Sequence, residues 1–208
     1  MERIVRTLEE SKLILKPVHK VLVECIENGF YDYLKINDFV NENLSFVDLK
    51  ARTKGSLIHD LIRSKVIQEF SGYENLEVGE FNKVFGINLQ NELFIRFKKM
   101  DKNFNVSSLI TKQHKKYLGQ QQIIGFPKEP TLLFAGYIPN ETWTSLNGIY
   151  LACWNGNVLE WYDEAGKYSY EQLALGLGDD KSTIHREIEK RVDLKKGLRK
   201  DKETGTEN

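Results

Sequence analysis

Cysteine is scarce in this chain: its 208 residues include only two, Cys25 and Cys153. Both lie in apolar stretches and far apart in sequence, so two buried free thiols are favoured over a disulfide. The histidines are also few and scattered along the chain: His19, His59, His114 and His185. Because none of these residues has zinc-type spacing, the sequence predicts no metal site and isolated surface or capping histidines.

Long apolar runs and an excess of one charge are missing too. No stretch of about 18 apolar residues occurs, so no membrane-spanning helix is predicted. The N-terminus, MERIVRTLEESK, is too charged for a signal peptide, and we expect a cytoplasmic protein with no membrane partner. Lys+Arg and Asp+Glu both number 30, so only local charge can predict a polyanionic partner.

Complete catalytic motifs are also absent. Residues Lys54-Gly55-Ser56 end like a phosphate-binding Walker A loop, but the earlier glycine and the preceding apolar strand are missing. The glycine-rich stretch 175–180 follows no strand-type run and is better interpreted as a linker or helix cap. No G-x-S-x-G motif occurs, and no Ser-His-Asp or Cys-His triad can be assigned. No motif therefore predicts a reaction.

What the chain does contain is alternating helix-type and strand-type periodicity, which predicts an α+β fold with helices flanking the sheet. Helices are predicted for 2–15, for a segment that begins at Pro17 and stops at Gly29, for 47–70 and for 108–122. The acidic stretch 30–45, rich in Asn and Asp, is predicted to be a loop with short turns.

Short strand-type runs predict a mixed β-sheet of about five or six strands: 73–79, 83–89, 92–98, 131–138, 148–154 and 158–162. Gln90-Asn91 predicts a hairpin turn between the second and third runs. Asn155-Gly156 predicts a type I′ turn, because both central positions of that turn need a positive φ.

Composition divides the chain into three parts. Residues 1–45 are predicted to form a helical N-terminal segment, 46–178 an α+β core domain, and 179–208 a charged helix with a flexible, charged C-terminal tail. Residues 182–191 are compatible with that helix. Residues 196–208 are nearly all polar or charged, so they bury too little apolar surface to offset the entropy lost on ordering.

Charges are sorted along the chain although they balance overall. Basic residues dominate 50–65 and 96–116, whereas acidic residues gather in the N-terminal part and in 69–80. A clustered basic face attracts polyanions, so this pattern favours a DNA or RNA partner. The predicted nucleic-acid-binding residues are Arg52, Lys54, Arg63, Arg96, Lys98, Lys99, Lys112, Lys115 and Lys116. The alternative is two ordinary solvated faces that pair with the acidic residues.

The predicted order from residue 47 onward is a helix, three strands, a helix and a strand. This order resembles the core of the PD-(D/E)XK nuclease superfamily. In that superfamily the third core strand ends in an acid-x-Lys pair, and here the corresponding strand ends Arg96-Phe97-Lys98. Some members carry Gln-x-x-x-Tyr on the next helix, which Gln113 and Tyr117 match. The resemblance covers about half of the chain.

The resemblance implies catalytic roles for four residues: Glu69, Lys98, Gln113 and Tyr117. In the active family two carboxylates hold Mg²⁺ and the lysine steadies the attacking water. Arg96 stands where the second carboxylate would be, and a cation cannot ligate a metal ion. The leading hypothesis is therefore nucleic-acid binding on a degenerate nuclease-like scaffold without a cofactor, in an accessory protein of a phage or mobile element. Metal-dependent nuclease activity with Mg²⁺ is an alternative.

A rival hypothesis comes from the aromatic residues of the C-terminal third, including Trp143, Trp154 and Trp161. Trp154 and Trp161 flank the predicted Asn155-Gly156 turn, which makes them candidate cross-strand neighbours. Aromatic side chains of this kind serve as anchors in protein interfaces. The chain would then be a protein-interaction module, such as an antitoxin or a nuclease inhibitor. The same residues also suit an ordinary sheet that covers a helix.

Overall fold

The computed structural model describes residues 5–44, 46–106, 111–121 and 129–166. Helices and strands in these ranges follow the predicted α+β order, which is confirmed. The helices are α1 Leu8–Leu15, α2 His19–Asn43, α3 Ala51–Glu69 and α4 Lys112–Leu118. The strands are β1 Leu76–Phe81, β2 Val84–Leu89, β3 Leu93–Lys99, β4 Thr131–Pro139, β5 Leu146–Asn155 and β6 Val158–Glu164.

The strands form one six-stranded mixed sheet in the order β1-β2-β3-β4-β5-β6. All neighbours are antiparallel except β3 and β4, which are parallel. Parallel neighbours need a crossover connection, and α4 lies within the segment that joins these two strands. The described residues belong to one unit, Met1–Tyr170.

Each face of the sheet has its own apolar core because side chains alternate along a strand. On the first face, Ile95 and Phe97 of β3 pack with residues of α2 and α3 such as Ile26 and Ile62. On the second face, Phe94 packs with residues of β4 and with Tyr117 of α4, among others. The short helix α4 therefore lies on the opposite side of the sheet from α2 and α3.

The structure corrects the predicted loop at 30–45, because α2 runs without interruption from His19 to Asn43. The apolar spacing continues through Phe30 and Tyr33, which are both buried. Gly29 is therefore not a helix stop. A Cβ at Gly29 would lie 2.6 Å from Ile62 Cγ1 and 2.9 Å from the Ile62 backbone nitrogen. The missing side chain lets α2 and α3 pack closely.

The turns agree with prediction in one case and differ in the other. Gln90 and Asn91 both have positive φ angles, 53° and 57°, as a type I′ hairpin turn requires. At the second hairpin, Asn155 pairs with Val158, so the turn residues are Gly156 and Asn157 rather than Asn155 and Gly156. Only Gly156 has a positive φ, 65°, which is the pattern of a type II′ turn.

Several smaller predictions can also be compared with the structure. Both cysteines are buried and free, as predicted. Helix α1 begins at Leu8 rather than residue 2, because Thr7 caps it and exchanges hydrogen bonds with Glu10. None of the described helices is both long and apolar enough to cross a membrane. The predicted helix at 182–191 and the tail lie outside the described residues.

Candidate basic site at a fork in the sheet

Strands β2 and β3 separate halfway along their length. They pair from Leu89–Leu93 to Ile87–Ile95 and no further, whereas β1 and β2 pair along their whole length. Strand β3 pairs with β4 up to Lys99. Within the described residues, the second half of β3 thus has a paired strand on one side only. We call this region, in which 84–86 of β2 and 96–99 of β3 are not paired with each other, the fork.

Gly86 lies where the strands part. A Cβ at this position would collide with the carbonyl oxygen of Ile95 and approach Phe94 Cζ to 2.6 Å. Beyond Gly86 the β1–β2 hairpin curls toward the second face, where the Phe81 ring lies edge-on to Phe94 at 5.4 Å. The hairpin tip also meets α4, because Gln113 Nε2 donates a 2.6 Å hydrogen bond to the Asn82 carbonyl oxygen. The missing side chain at Gly86 therefore allows the close approach of β2 to β3 at the point where their pairing ends.

Arg96 and Lys98 project toward the second face at the fork, two residues apart on β3. Both are half-buried. The Arg96 guanidinium lies 4.8 Å from the centre of the Tyr117 ring. The Tyr117 hydroxyl in turn lies 2.6 Å from the Leu133 carbonyl oxygen and 3.1 Å from that of Phe94. The buried Tyr117 side chain is thus held in place by the sheet backbone, and its ring makes a cation–π contact with the Arg96 guanidinium.

No carboxylate neutralises this pair among the described residues. None of the ion pairs in these ranges includes Arg96 or Lys98. Burial lowers the pKa of Arg96, while burial and then the charge of Arg96 lower the pKa of Lys98. Two like charges in a partly desolvated place repel each other, so the pair is poised to accept an anion.

Each of the helices α3 and α4 carries a histidine on which the charge of Lys98 acts. His114 of α4 is buried with its ring 6.4 Å from that of Phe134, which is the register partner of Arg96. Burial lowers the pKa of His114, and Arg96 and Lys98 lower it further. His59 of α3 has a pKa lowered by burial first and then by Lys98. The charge of Lys98 therefore reaches an imidazole on each helix.

Arg63 completes the wall of the fork on the α3 side. Its guanidinium lies 4.8 Å from the centre of the Phe85 ring, on β2. One of its nitrogens is 2.8 Å from Glu80 Oε1. Since His59 precedes Arg63 by one helical turn, both side chains lie on the same flank of α3. These two residues, the strand residues Arg96 and Lys98, and His114 of α4 are together called the fork cluster.

The remaining predicted basic residues are spread over several surfaces. Lys99 points to the first face, where its amine lies 4.6 Å from the centre of the Trp143 ring. The α4 lysines are exposed, since His114 and Tyr117 occupy the side of that helix that faces the sheet: Lys112, Lys115 and Lys116. On α3, Arg52 is exposed and Lys54 is half-buried.

Of the four residues to which the resemblance gives catalytic roles, three lie on β3 or α4. Lys98 lies on β3, while Gln113 and Tyr117 lie on the adjacent helix α4. Glu69 is exposed at the end of α3, and its charge acts on the Cys25 thiol of α2, whose pKa is raised to about 12 mainly by burial. Glu69 follows His59 by ten residues, a rise of about 15 Å along the helix.

The fork does not suit Mg²⁺. This ion is bound by carboxylates and other oxygen ligands, and here the strand offers a guanidinium and an ammonium. Nowhere in the described ranges do three His, Cys, Asp or Glu side chains lie together as a metal site would require. The charges at the fork are those that an anion site would need.

Two fork residues, His59 and His114, were discounted in the sequence because they stand alone there. The available signal was their helical spacing, since His59 lies four residues before Arg63 and His114 three before Tyr117. Comparisons with family models, curated proteins and solved structures found no match for this chain. The arrangement of the fork cluster is therefore the basis for a functional interpretation.

Proposed function

We propose that this chain binds nucleic acid at the fork, with phosphate oxygens against Arg96 and Lys98. The observation that carries the proposal is that these half-buried cations have no carboxylate partner among the described residues. Burying an unpaired charge is costly, and a phosphate supplies the opposite charge and hydrogen-bond acceptors. The guanidinium matches the geometry of phosphate oxygens especially well.

The surroundings of the fork support a polymer rather than an isolated anion. Lys112, Lys115 and Lys116 are exposed on the outer side of α4, the helix whose Tyr117 ring lies against Arg96. Exposed lysines of this kind contact flanking phosphates without reading sequence. The segment that forms α3-β1-β2-β3-α4-β4 is also the one whose sequence resembles a nuclease-like core, which would be a scaffold suited to nucleic acid.

The test is the salt dependence of binding to labelled single-stranded RNA, single-stranded DNA and duplex DNA, measured by fluorescence anisotropy. Arg96→Gln with Lys98→Gln should weaken binding about 10- to 100-fold at low salt and flatten the slope of log K against log salt by roughly one to two units. The matched control is Lys50→Gln with Lys65→Gln, which removes the same charge from lysines paired with Asp48 and Asp32.

The control should bind like the unmodified protein. If the unmodified protein shows no salt-sensitive binding to any of these nucleic acids, the proposal is wrong. Equal losses in the two double variants would also refute it, because binding would then depend on overall charge and not on the fork.

A second candidate is a protein-interaction module, and exposed apolar residues beyond the core favour it. Phe39 near the end of α2 is 60% exposed and Phe46 just after it is 84% exposed. Acidic Asp38, Glu42 and Asp48 stand among them. In the aromatic hairpin β5–β6, by contrast, Trp161 packs against the core and donates a hydrogen bond to the Arg6 carbonyl oxygen.

This second function predicts a basic protein partner, as a nuclease inhibitor would have. The test is stoichiometric inhibition of purified basic nucleases, with Phe39→Ser and Phe46→Ser as the variants that should abolish it. Inhibition that survives both substitutions would exclude this surface. The Arg96 and Lys98 variants serve as the control and should inhibit normally.

A further inference from the structure

A cleft lies outside the carboxyl ends of the two parallel strands, β3 and β4. Strand β3 ends at Lys99, which pairs with Tyr137, two residues before the end of β4 at Pro139. After β3 the Met100 side chain packs on the second face, whereas after β4 the Trp143 side chain packs on the first face. The chain therefore leaves the two strands toward opposite faces. In sheets with parallel strands, such a divergence creates a crevice in which ligands bind.

The cleft has a volume of about 510 Å³, which lies within the range of small-molecule sites. Apolar side chains form part of its lining: Met100, Val106, Ile138, Pro139 and Trp143. Asn147, which is exposed on β5, also lines the cleft, and its amide group can both donate and accept a hydrogen bond. This lining suits a flat, weakly polar group with hydrogen-bonding atoms at its edge.

Two cations line the same cleft. The Lys99 ammonium lies 4.6 Å from the centre of the Trp143 ring, and Lys102 is exposed on the loop that follows β3. Within the described ranges, no ion pair includes either lysine. An ammonium group without a carboxylate partner can donate charge-assisted hydrogen bonds to phosphate oxygens. The cleft therefore offers positive charge beside an apolar lining.

The two acidic residues of the lining do not neutralise these lysines. Asp101 Oδ1 accepts hydrogen bonds from the backbone nitrogens of Asn103 at 2.8 Å and Asn105 at 3.0 Å, so this carboxylate holds its own loop in place. Glu141 is exposed on the turn after β4, and none of the ion pairs among the described residues includes it. Its carboxylate can accept a hydrogen bond from an amino group of a ligand.

The turn on the other side of the cleft is held in an unusual conformation. Trp143 has a φ of 60°, which bulky residues rarely adopt. Asn140 stabilises this turn, because its Oδ1 accepts a 2.8 Å hydrogen bond from the Thr144 nitrogen and its carbonyl oxygen accepts a 3.1 Å bond from the Trp143 nitrogen. Strained backbone is often retained where it positions a side chain for a ligand. Both walls of the cleft are thus formed before any ligand binds.

We propose that this cleft binds one unpaired nucleotide, with the phosphate against Lys99 and Lys102 and the base against the apolar lining and Asn147. A nucleotide joins in one molecule the anion that the lysines favour and the flat, hydrogen-bonding group that the rest of the lining suits. Two sources present this chemistry: a free mononucleotide and an unpaired nucleotide of a single-stranded chain. For the second source the inference rests on the proposed function. The site is separate from the fork, since Arg96 and Lys98 are not among the residues that line the cleft.

The experiment is calorimetric titration of the full chain with the four ribonucleoside 5′-monophosphates, the nucleosides without phosphate, inorganic phosphate and short single-stranded oligonucleotides. Lys99→Gln with Lys102→Gln should lower nucleotide affinity about 10-fold or more, because charge-assisted hydrogen bonds to the phosphate are lost. Asn147→Trp fills the cleft from an exposed position and should have a similar effect. The matched control is Lys50→Gln with Lys65→Gln, which removes the same charge elsewhere and should bind normally.

The outcomes distinguish the two sources and separate this inference from the proposed function. Mononucleotide binding that both cleft variants weaken supports a free ligand, whereas the same losses with oligonucleotides alone support a chain. The inference is overturned if the nucleoside or inorganic phosphate binds as tightly as the nucleotide, if the control loses as much affinity, or if no nucleotide binds.

Oligonucleotide binding that Arg96→Gln with Lys98→Gln weakens but neither cleft variant affects would overturn the inference and leave the proposed function standing. Mononucleotide binding in the cleft without binding of any longer nucleic acid would refute the proposed function and leave the inference standing. Should the double lysine variant fail to fold, Asn147→Trp and the two partial ligands still decide the question.

Discussion

The basic residues around helix α3 and those on strand β3 have the same chemistry but opposite surroundings. On α3, Lys65 is 3.0 Å from Asp32 and Arg63 is 2.8 Å from Glu80. On β3, Arg96 and Lys98 lie side by side, without a carboxylate partner in the described part of the chain. Lys65 and Arg63 are neutralised by carboxylates, whereas Arg96 and Lys98 are not.

This difference teaches that local charge density alone does not predict a binding surface. Ion pairs at exposed positions contribute roughly 0–1 kcal/mol each, and they occupy the cations that a ligand would need. We expect the half-buried pair of cations to destabilise the free protein and a bound anion to offset that cost. The residues that weaken the fold are therefore the better candidates for function, and this expectation can be tested in four ways.

The largest effect is expected from reversing a charge in each region. Lys98→Glu puts a carboxylate beside Arg96, so RNA affinity at low salt should fall on the order of 100-fold. Lys65→Glu makes the same change in charge next to Asp32 and should alter affinity by no more than a few-fold. Anisotropy titrations at several salt concentrations measure both. If the two variants lose affinity equally, the comparison between the regions has no functional meaning.

A second test disturbs the place where the pairing of β2 and β3 ends. Gly86→Ala places a methyl group against the Ile95 carbonyl oxygen and should lower the free energy of unfolding by about 1–3 kcal/mol, with a loss of RNA binding. Its register partner on β1, Gly79, has open space at the same position, so Gly79→Ala should change stability by less than about 0.5 kcal/mol. Urea denaturation gives both values. If Gly86→Ala leaves both stability and RNA binding unchanged, the close approach at Gly86 does not determine the shape of the fork.

Much of the fold followed from the sequence because helix and strand periodicity are local properties. The strand run ending in Arg96-Phe97-Lys98 and the α3 helix were predicted within a few residues of their observed ends. The continuation of α2 through 30–43 was missed, because Gly29 was interpreted as a helix stop. In the structure Gly29 serves a tertiary contact with Ile62, which no local pattern reveals.

The candidate site was only partly predictable for a related reason. Arg96 and Lys98 stood out as basic residues at a strand end, but their lack of partners depends on which acids the fold brings near. The fork needs the close approach of Gly86 to Ile95, two residues on different strands. The charge of Lys98 acts on His59 and on His114 although α3 and α4 pack on opposite faces of the sheet. Contacts between residues that are far apart in the sequence cannot be inferred from residue spacing.

A third test compares stability without any ligand. Arg96→Met with Lys98→Met removes the repulsion between half-buried cations and should raise the free energy of unfolding by on the order of 1 kcal/mol. Arg63→Met removes the ion pair with Glu80 and should lower it by roughly 0.5 kcal/mol. Chemical denaturation at low salt provides both numbers. Destabilisation by the double substitution would mean that the cations are neutralised in the free protein.

The smallest expected effect concerns pH. In the folded chain the pKa of His59 and of His114 lies below the ordinary value of 6.5. Below that value the unfolded chain binds more protons than the folded chain, so the free energy of unfolding should fall as the pH drops through 6.5 toward the folded pKa values. The carboxylate of Asp32, with a lowered pKa, loses its stabilising effect only at pH values below 3.8, a separate window.

Thermal unfolding across this pH range measures the effect, and the variant His59→Gln with His114→Gln should flatten the profile from about neutral pH through 6.5 toward the lower folded pKa values. Added sulfate, whose charge does not change here, should recover more stability on the acidic side than on the alkaline side, because it occupies the fork and favours protonated imidazoles. The general stabilising effect of sulfate on proteins would appear equally in the Arg96→Gln, Lys98→Gln variant, which therefore serves as the control. If sulfate stabilises that variant as much as the unmodified protein at every pH, the fork does not bind anions and the contrast between strand β3 and helix α3 loses its meaning.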